Sequence, residues 1–274
     1  MTLEPIAFDS LNFALAVERF FNALVAEANS NAGAQNPLTS IEVEPGLGGK
    51  LLYAGALDEI GRALVVAGNI AGAASLTASP DPAAQRQAIR DGVVDFLVTS
   101  LDEALRILKN EIRKHETVAV CLAAAPDDLQ WDMLKRGVLP DLLRPDDEFS
   151  VHSPFVAQGA RRLEPLWPGT DSIRLQWRVV DSPAVWLPKL DVIALECLKP
   201  EDWSERRWVR LAPRYLGRLA SGFRSLLCDH KVTASFIESV RERTDRGEIG
   251  VPVEVQITGQ GHSDPHWFSP HGEV

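Results

Sequence analysis

The sequence predicts an α/β fold in which a parallel sheet carries helices on both faces, followed by a smaller α+β C-terminal region. Three observations carry this reading. From Lys50 onward, short apolar runs of strand length alternate with amphipathic stretches of helix length. Strand-helix alternation requires crossover connections, and these make neighbouring strands parallel. Past about residue 155 the alternation stops, and strand-period and helix-period segments follow in another order. The first half therefore reads as Rossmann-like. The expected organisation is an N-terminal helical segment over 1–47, the α/β domain over 48–155 and an α+β region over 156–274.

Each element has a local reason. Leu11, Leu15, Val17, Phe21, Leu24 and Val25 recur at helical spacing until the polar, glycine-containing stretch 29–36 ends them. The alternating series then runs LLYAG, IGRALVVAGNI, ASLTA, PAAQRQAIRDG, VDFLV, LDEALRILKNEIRKH, TVAVCLAA and PDDLQWDMLKRG. Ser100 with Glu103 is a capping-box pattern, after which Leu101, Leu105, Leu108 and Ile112 share one helical face. Asp81 before Pro82 fits an N-cap and a first-turn proline. Asp127 and Asp128 suit the positive end of a helix dipole, and Lys135, Arg136 and Gly137 suit its close.

In the second half, SIRLQWRVV puts Ile173, Leu175, Trp177 and Val179 on one side at the strand period. The apolar run LDVIALECL is expected to pair with it as a strand. WSERRWVRLAPRYLGRLASGFRSLL reads as one helix broken near Pro213, ASFIESVRER as a shorter helix and VPVEVQI as a strand.

Composition limits the function classes. The chain has 274 residues, 45% hydrophobic and 24% charged, with a formal charge of -10. That acidity gives no general attraction to nucleic acid or anionic lipid, so neither is an expected partner. The N-terminus lacks a basic, then uninterrupted apolar, leader, and no run is long enough to span a bilayer. The expectation is a cytoplasmic protein. Cys121, Cys197 and Cys228 are widely spaced among apolar neighbours and read as reduced core thiols. The rival reading, a catalytic thiolate, would draw on His230 and Lys231 beside Cys228. No P-loop, G-x-S-x-G or metalloprotease motif occurs.

From about Gly48 to Pro154 the motif order resembles the NAD-binding domain of urocanase, the histidine-degradation enzyme that adds water to urocanate. The resemblance rests on A-G-N-I-A-G-A at Ala67–Ala73, Asp81-Pro82, L-D-E-A-L at Leu101–Leu105, K-R-G-V-L-P-D at Lys135–Asp141 and S-V-H-S-P at Ser150–Pro154. It implies NAD as cofactor and a lyase of the hydratase type. The departures fall at the cofactor contacts. Where the family carries its glycine series, this chain has Leu57, Asp58, Glu59, Ile60, Gly61, Arg62, Ala63 and Leu64. Those glycines let the backbone approach the pyrophosphate and offer N–H groups to it; Asp58 and Glu59 would repel it unless turned outward. Ser79 replaces the acid expected at the ribose, and Ala125 an asparagine. Members of the family typically carry a D-Q-T-S-A-H stretch at the position of S-V-H-S-P, and of it only Ser150 and His152 remain.

The resemblance thus leaves Gly61, Arg62, Ser79, Ser150 and His152 as cofactor-binding candidates, and transfers no catalytic residue. Each has a plainer reading: a helix-start glycine, a turn serine, a surface histidine. The expectation is a divergent stand-alone relative without hydratase activity that binds a small ligand in the crevice at the strand carboxyl ends, or serves as an accessory protein. The alternative is an active lyase or other NAD- or nucleotide-dependent enzyme, completed by residues 156–274 or by a second subunit of a homo-oligomer. Two further features compete with ordinary surface roles. His262, Asp264, His266 and His271 could ligate a metal, against a loosely ordered tail. Arg207, Arg210, Arg214 and Arg218 could form an anion-binding stripe, against a solvated helix face.

Overall fold

The computed structural model describes residues 8–32, 46–145, 154–166, 169, 172–259 and 262–269. The chain divides into two compact units, residues 12–166 and residues 167–274 with 1–11. A long helix, α1 (Phe8–Ala32), opens the described chain and buries Val17, Phe20, Phe21 and Leu24.

In the first unit the elements run β1 (Leu51–Ala56), α2 (Glu59–Ala71), β2 (Ala74–Ala78), α3 (Pro82–Arg90), β3 (Phe96–Val98) and α4 (Leu101–Lys114). They continue with β4 (Val118–Leu122), α5 (Pro126–Lys135), β5 (Leu142–Leu143), α6 (Pro154–Ala157) and β6 (Arg161–Arg162). The six strands form one sheet in the order β3-β4-β2-β1-β5-β6, and every neighbouring pair is parallel. The expected α/β architecture is therefore the observed one. β1 and β4 are apolar, β2 adds the buried hydroxyls of Ser75 and Thr77, and all three strands are almost wholly buried, as strands covered on both faces must be.

Right-handed crossovers fix which helices cover which face. The moves from β1 to β2 and β2 to β3 set α2 and α3 on one face. The return from β3 to β4 and the long step from β4 to β5 set α4 and α5 on the other. The second face is one continuous core, with Leu101, Ala104, Leu108, Leu129 and Met133 over Leu51, Tyr53, Leu76 and Val120. The helix starts follow their caps. Ser100 Oγ accepts the Glu103 N–H of α4, and the Asp81 carboxylate accepts the Ala83 and Ala84 N–H groups of α3.

In the second unit β7 (Ile173–Val179), α7 (Pro183–Cys197), α8 (Trp203–Leu216), a 3-10 turn (Gly217–Ser221), β8 (Arg224–Cys228), α9 (His230–Asp245), β9 (Val253–Gly259) and β10 (His262–Phe268) follow in turn. Their sheet is antiparallel, in the order β10-β9-β7-β8. Two expectations are corrected here. LDVIALECL is the C-terminal part of α7, not a strand beside β7; an apolar run of that length has no decisive period, and Pro183 at the first turn starts a longer helix. The helix from Trp203 passes through Pro213 but ends at Leu216, because the glycine-flanked turn 217–222 stops it. The final RSLLC becomes β8, antiparallel to β7 with Leu226 opposite Leu175.

The second unit closes around aromatic and ionic contacts. The Trp177 and Phe236 rings lie 4.9 Å apart. The Asp191 carboxylate accepts Arg224 Nε–H at 3.0 Å and Trp177 Nε1–H at 3.3 Å, with both charged side chains 13% exposed. Arg224 also donates to the Ala220 and Phe223 carbonyls. Burial raises the Asp191 pKa from its ordinary value, and Arg224 opposes that rise.

Candidate functional site

In an open parallel sheet, ligands sit outside the carboxyl ends of the strands where strand order reverses. Here β2 lies on one side of β1 and β5 on the other, so the crevice opens between the ends of β1 and β5. β1 is irregular as it reaches that point. Gly55 takes φ +65°, and the register with β2 slips between Tyr53 and Gly55. A side chain at Gly55 would sit 3.2 Å from Arg144 Cδ, so the glycine leaves the space in which the arginine stem lies.

Arg144 directly follows β5 and is 10% exposed. Its guanidinium grips the Asp58 carboxylate with both nitrogens, at 2.9 and 2.8 Å, and donates to the Ala56 carbonyl at 3.2 Å. Asp58 is also the N-cap of α2, accepting the Gly61 N–H at 2.8 Å. One carboxylate thus takes a first-turn amide of the helix and a bidentate arginine together. Both interactions favour an anion, from the helix dipole and from the matched fork.

Gly61 has a second role beneath α2. A Cβ there would come 1.9 Å from the Ala56 carbonyl oxygen, so only glycine lets the helix settle on the end of β1. This is the close helix-strand packing that the last glycine of a dinucleotide fingerprint provides.

The remaining sequence candidates are placed apart from that cluster. Arg62 projects to Asp91 at the end of α3, with Nη2 donating at 2.6 Å. Ser79 organises the turn after β2: its N–H donates to the Leu122 carbonyl, its Oγ accepts the Asp81 N–H and its carbonyl accepts Gln85 Nε2–H. Ser150 and His152 lie outside the described residues. In the arginine stripe, Arg210, Arg214 and Arg218 are exposed, and Arg214 stacks over Tyr215 at 5.3 Å. Arg207, the first member of the stripe, is half-buried, and its neighbour Arg206, outside the stripe, caps α7 by donating to the Leu195 and Leu198 carbonyls.

The tail forms β10, paired from His262 to Phe268 with β9, where Pro265 is tolerated on an edge strand. His271 and the side chains of His262 and Asp264 lie outside the described residues. Among the described residues no group of three or more His, Cys, Asp or Glu side chains could hold a metal. No helix of the described residues is long and apolar enough to cross a membrane.

The cysteines are free thiols. Burial pushes Cys121 and Cys228 up to about 11, and raises Cys197 as well. A thiolate nucleophile is therefore not available at neutral pH. A thiol-reactive disulfide at about pH 8 should leave Cys121 and Cys228 unmodified in the native protein and titrate all three cysteines in denaturant; rapid native labelling of either would contradict their burial. The same shifts make folding stability fall between about pH 9, where unfolded thiols ionise, and about pH 11.

Sheet order, crevice and glycine-packed helix start define a Rossmann-like α/β domain. Within that class, residues 37–159 match the model of the urocanase Rossmann-like domain, and this stretch is similar to it. Its switch point does not fit the diphosphate of NAD. The Gly61 amide that would face a phosphate already holds the Asp58 carboxylate, and the cation that would neutralise a phosphate is clasped to the same group.

Gly55 and Arg144 were not among the residues singled out from sequence. A charged side chain directly after the apolar pair Leu142–Leu143 was the available signal, but a two-residue strand is too short to stand out as one.

Proposed function

We propose that the protein is a divergent urocanase-like protein that does not hydrate urocanate. On this reading it binds a small ligand at the carboxyl-end crevice, or serves as an accessory protein. The carrying observation is the closed Asp58–Arg144 pair at the head of α2, which fills the position of the ancestral diphosphate with the chain's own carboxylate. Three free thiols, two of them buried, support a reducing compartment such as the cytoplasm.

The purified protein, supplied with NAD, is expected to leave urocanate unconsumed. NAD is expected not to raise its melting temperature, whereas a true ligand at a hundred times its Kd would add about 2.7 kcal/mol of stability. Turnover of urocanate, or NAD recovered by mass spectrometry from the denatured protein, would favour the lyase reading and defeat this one.

A further inference from the structure

Helix α7 of the second unit is apolar on its outer as well as its inner side. Leu187, Leu190, Ile193 and Ala194 are buried, while Val185, Pro188 and Val192 recur every three or four residues on the outer side, with Val185 55% and Val192 51% exposed. A helix that meets water on one side ordinarily carries polar groups there, and one that is apolar all round is ordinarily covered. α8 lies alongside. Arg206, near its start, caps the end of α7, and Asp191 of α7 lines a narrow cavity with Val209, Ala212 and Leu216 of α8. The outer side of α8 is basic. From Trp203 to Arg224 the chain carries six arginines and one acid, Glu205. Arg210, Arg214 and Arg218 are exposed, and among the described residues no acid pairs with Arg214 or Arg218. The other flank of α7 belongs to α9, where the arginines are neutralised: Arg241 by Glu238, Arg243 by Glu196 of α7 and Arg246 by Glu242.

We propose that the outer groove between α7 and α8 docks an acidic amphipathic helix of a partner protein. Such a helix lays its apolar side on Val185, Pro188 and Val192 and turns an acidic flank to Arg210, Arg214 and Arg218. The spacing fits. Arg210 and Arg214 are separated by about 6 Å along the axis of α8, and carboxylates four residues apart on a partner helix repeat at the same interval. Guanidinium forks hold carboxylates through two parallel hydrogen bonds, which adds register to attraction. An anionic membrane fits the same surface less well. A bilayer is broad and would lie over α9 too, bringing the exposed Glu238 and Glu242 against lipid phosphates, and the chain's formal charge of -10 opposes its approach. A single helix meets the basic flank alone.

Fluorescence anisotropy on the full chain tests the assignment, with a labelled alanine-leucine peptide helix that bears glutamates along one flank and a counterpart in which lysines replace the glutamates. The glutamate peptide should bind, less tightly as salt rises, and the lysine peptide with an affinity lower by about tenfold or more. Arg214→Glu/Arg218→Glu should reverse that order, and Val185→Ser/Val192→Ser should weaken the glutamate peptide by about tenfold or more. All four substituted positions are exposed, and unchanged thermal melts verify that the fold is intact. No binding of the glutamate peptide, equal binding of the two peptides, or binding indifferent to both double substitutions overturns the proposal. Co-sedimentation with vesicles of phosphatidylcholine and phosphatidylserine, abolished by the same substitutions, would assign the face to a membrane and overturn it as well.

Discussion

Gly61→Ala is expected to destabilise the first unit by more than about 3 kcal/mol, at or beyond the upper end of ordinary overpacking. The added methyl would meet the Ala56 carbonyl oxygen at 1.9 Å and the Ala54 carbonyl oxygen at 3.2 Å, and backbone cannot rotate aside as a flexible side chain can. Relief requires lifting the start of α2, a helix that buries ten consecutive or near-consecutive residues from Gly61 to Ala71. It also pulls the Gly61 N–H from Asp58 and loosens the grip of Arg144. Urea denaturation of wild type and variant measures the loss. A midpoint unchanged by the substitution would refute the packing of α2 on β1.

Arg224→Met is expected to cost about 3–5 kcal/mol, because it strands the buried Asp191 carboxylate with a single indole N–H. The pH dependence separates this from simple loss of packing. Burial already raises the Asp191 pKa above 3.8, with Arg224 as the largest opposing influence, so removing the arginine raises it further. A carboxyl whose folded pKa exceeds its unfolded value contributes stability below the unfolded pKa and loses it as pH rises through the folded one. The deficit of Arg224→Met should therefore be small near pH 4 and grow towards neutrality. Asp191→Asn added to Arg224→Met should recover part of it. A deficit independent of pH, measured by denaturation at several pH values, would contradict a stranded charge.

Much of the first unit was legible in the sequence because local and global signals agree there. β1, β2, β3 and β4 each coincide with an apolar run, and Asp81, Ser100 and the Lys135–Gly137 segment mark helix ends through side-chain chemistry that acts within four residues. The two-residue strands β5 and β6 carry no periodicity, and they exist because the edge of β1 offers a ladder to whatever passes beside it. Arg144 depends on that pairing. Its partner Asp58 is 86 residues earlier in the chain, a distance no local rule spans. The second unit was less legible for a related reason. Whether an apolar run such as LDVIALECL coils or extends is decided by the flanking Pro183 turn and by packing, and whether RSLLC joins a helix or a sheet is decided by the free edge of β7.

The position of β4 between β3 and β2 has a consequence for how the chain is made. Synthesis proceeds from the amino terminus, so β3 leaves the ribosome before β4, its one neighbour among the described strands, and the nascent sheet must keep a slot open beside β2 until Val118–Leu122 arrives. Through that interval Phe96 and Leu97 have no strand to lie against on either side. The ribosome and whatever chaperones attend it are then the first surfaces this segment meets, and the first unit cannot close vectorially, one strand after another.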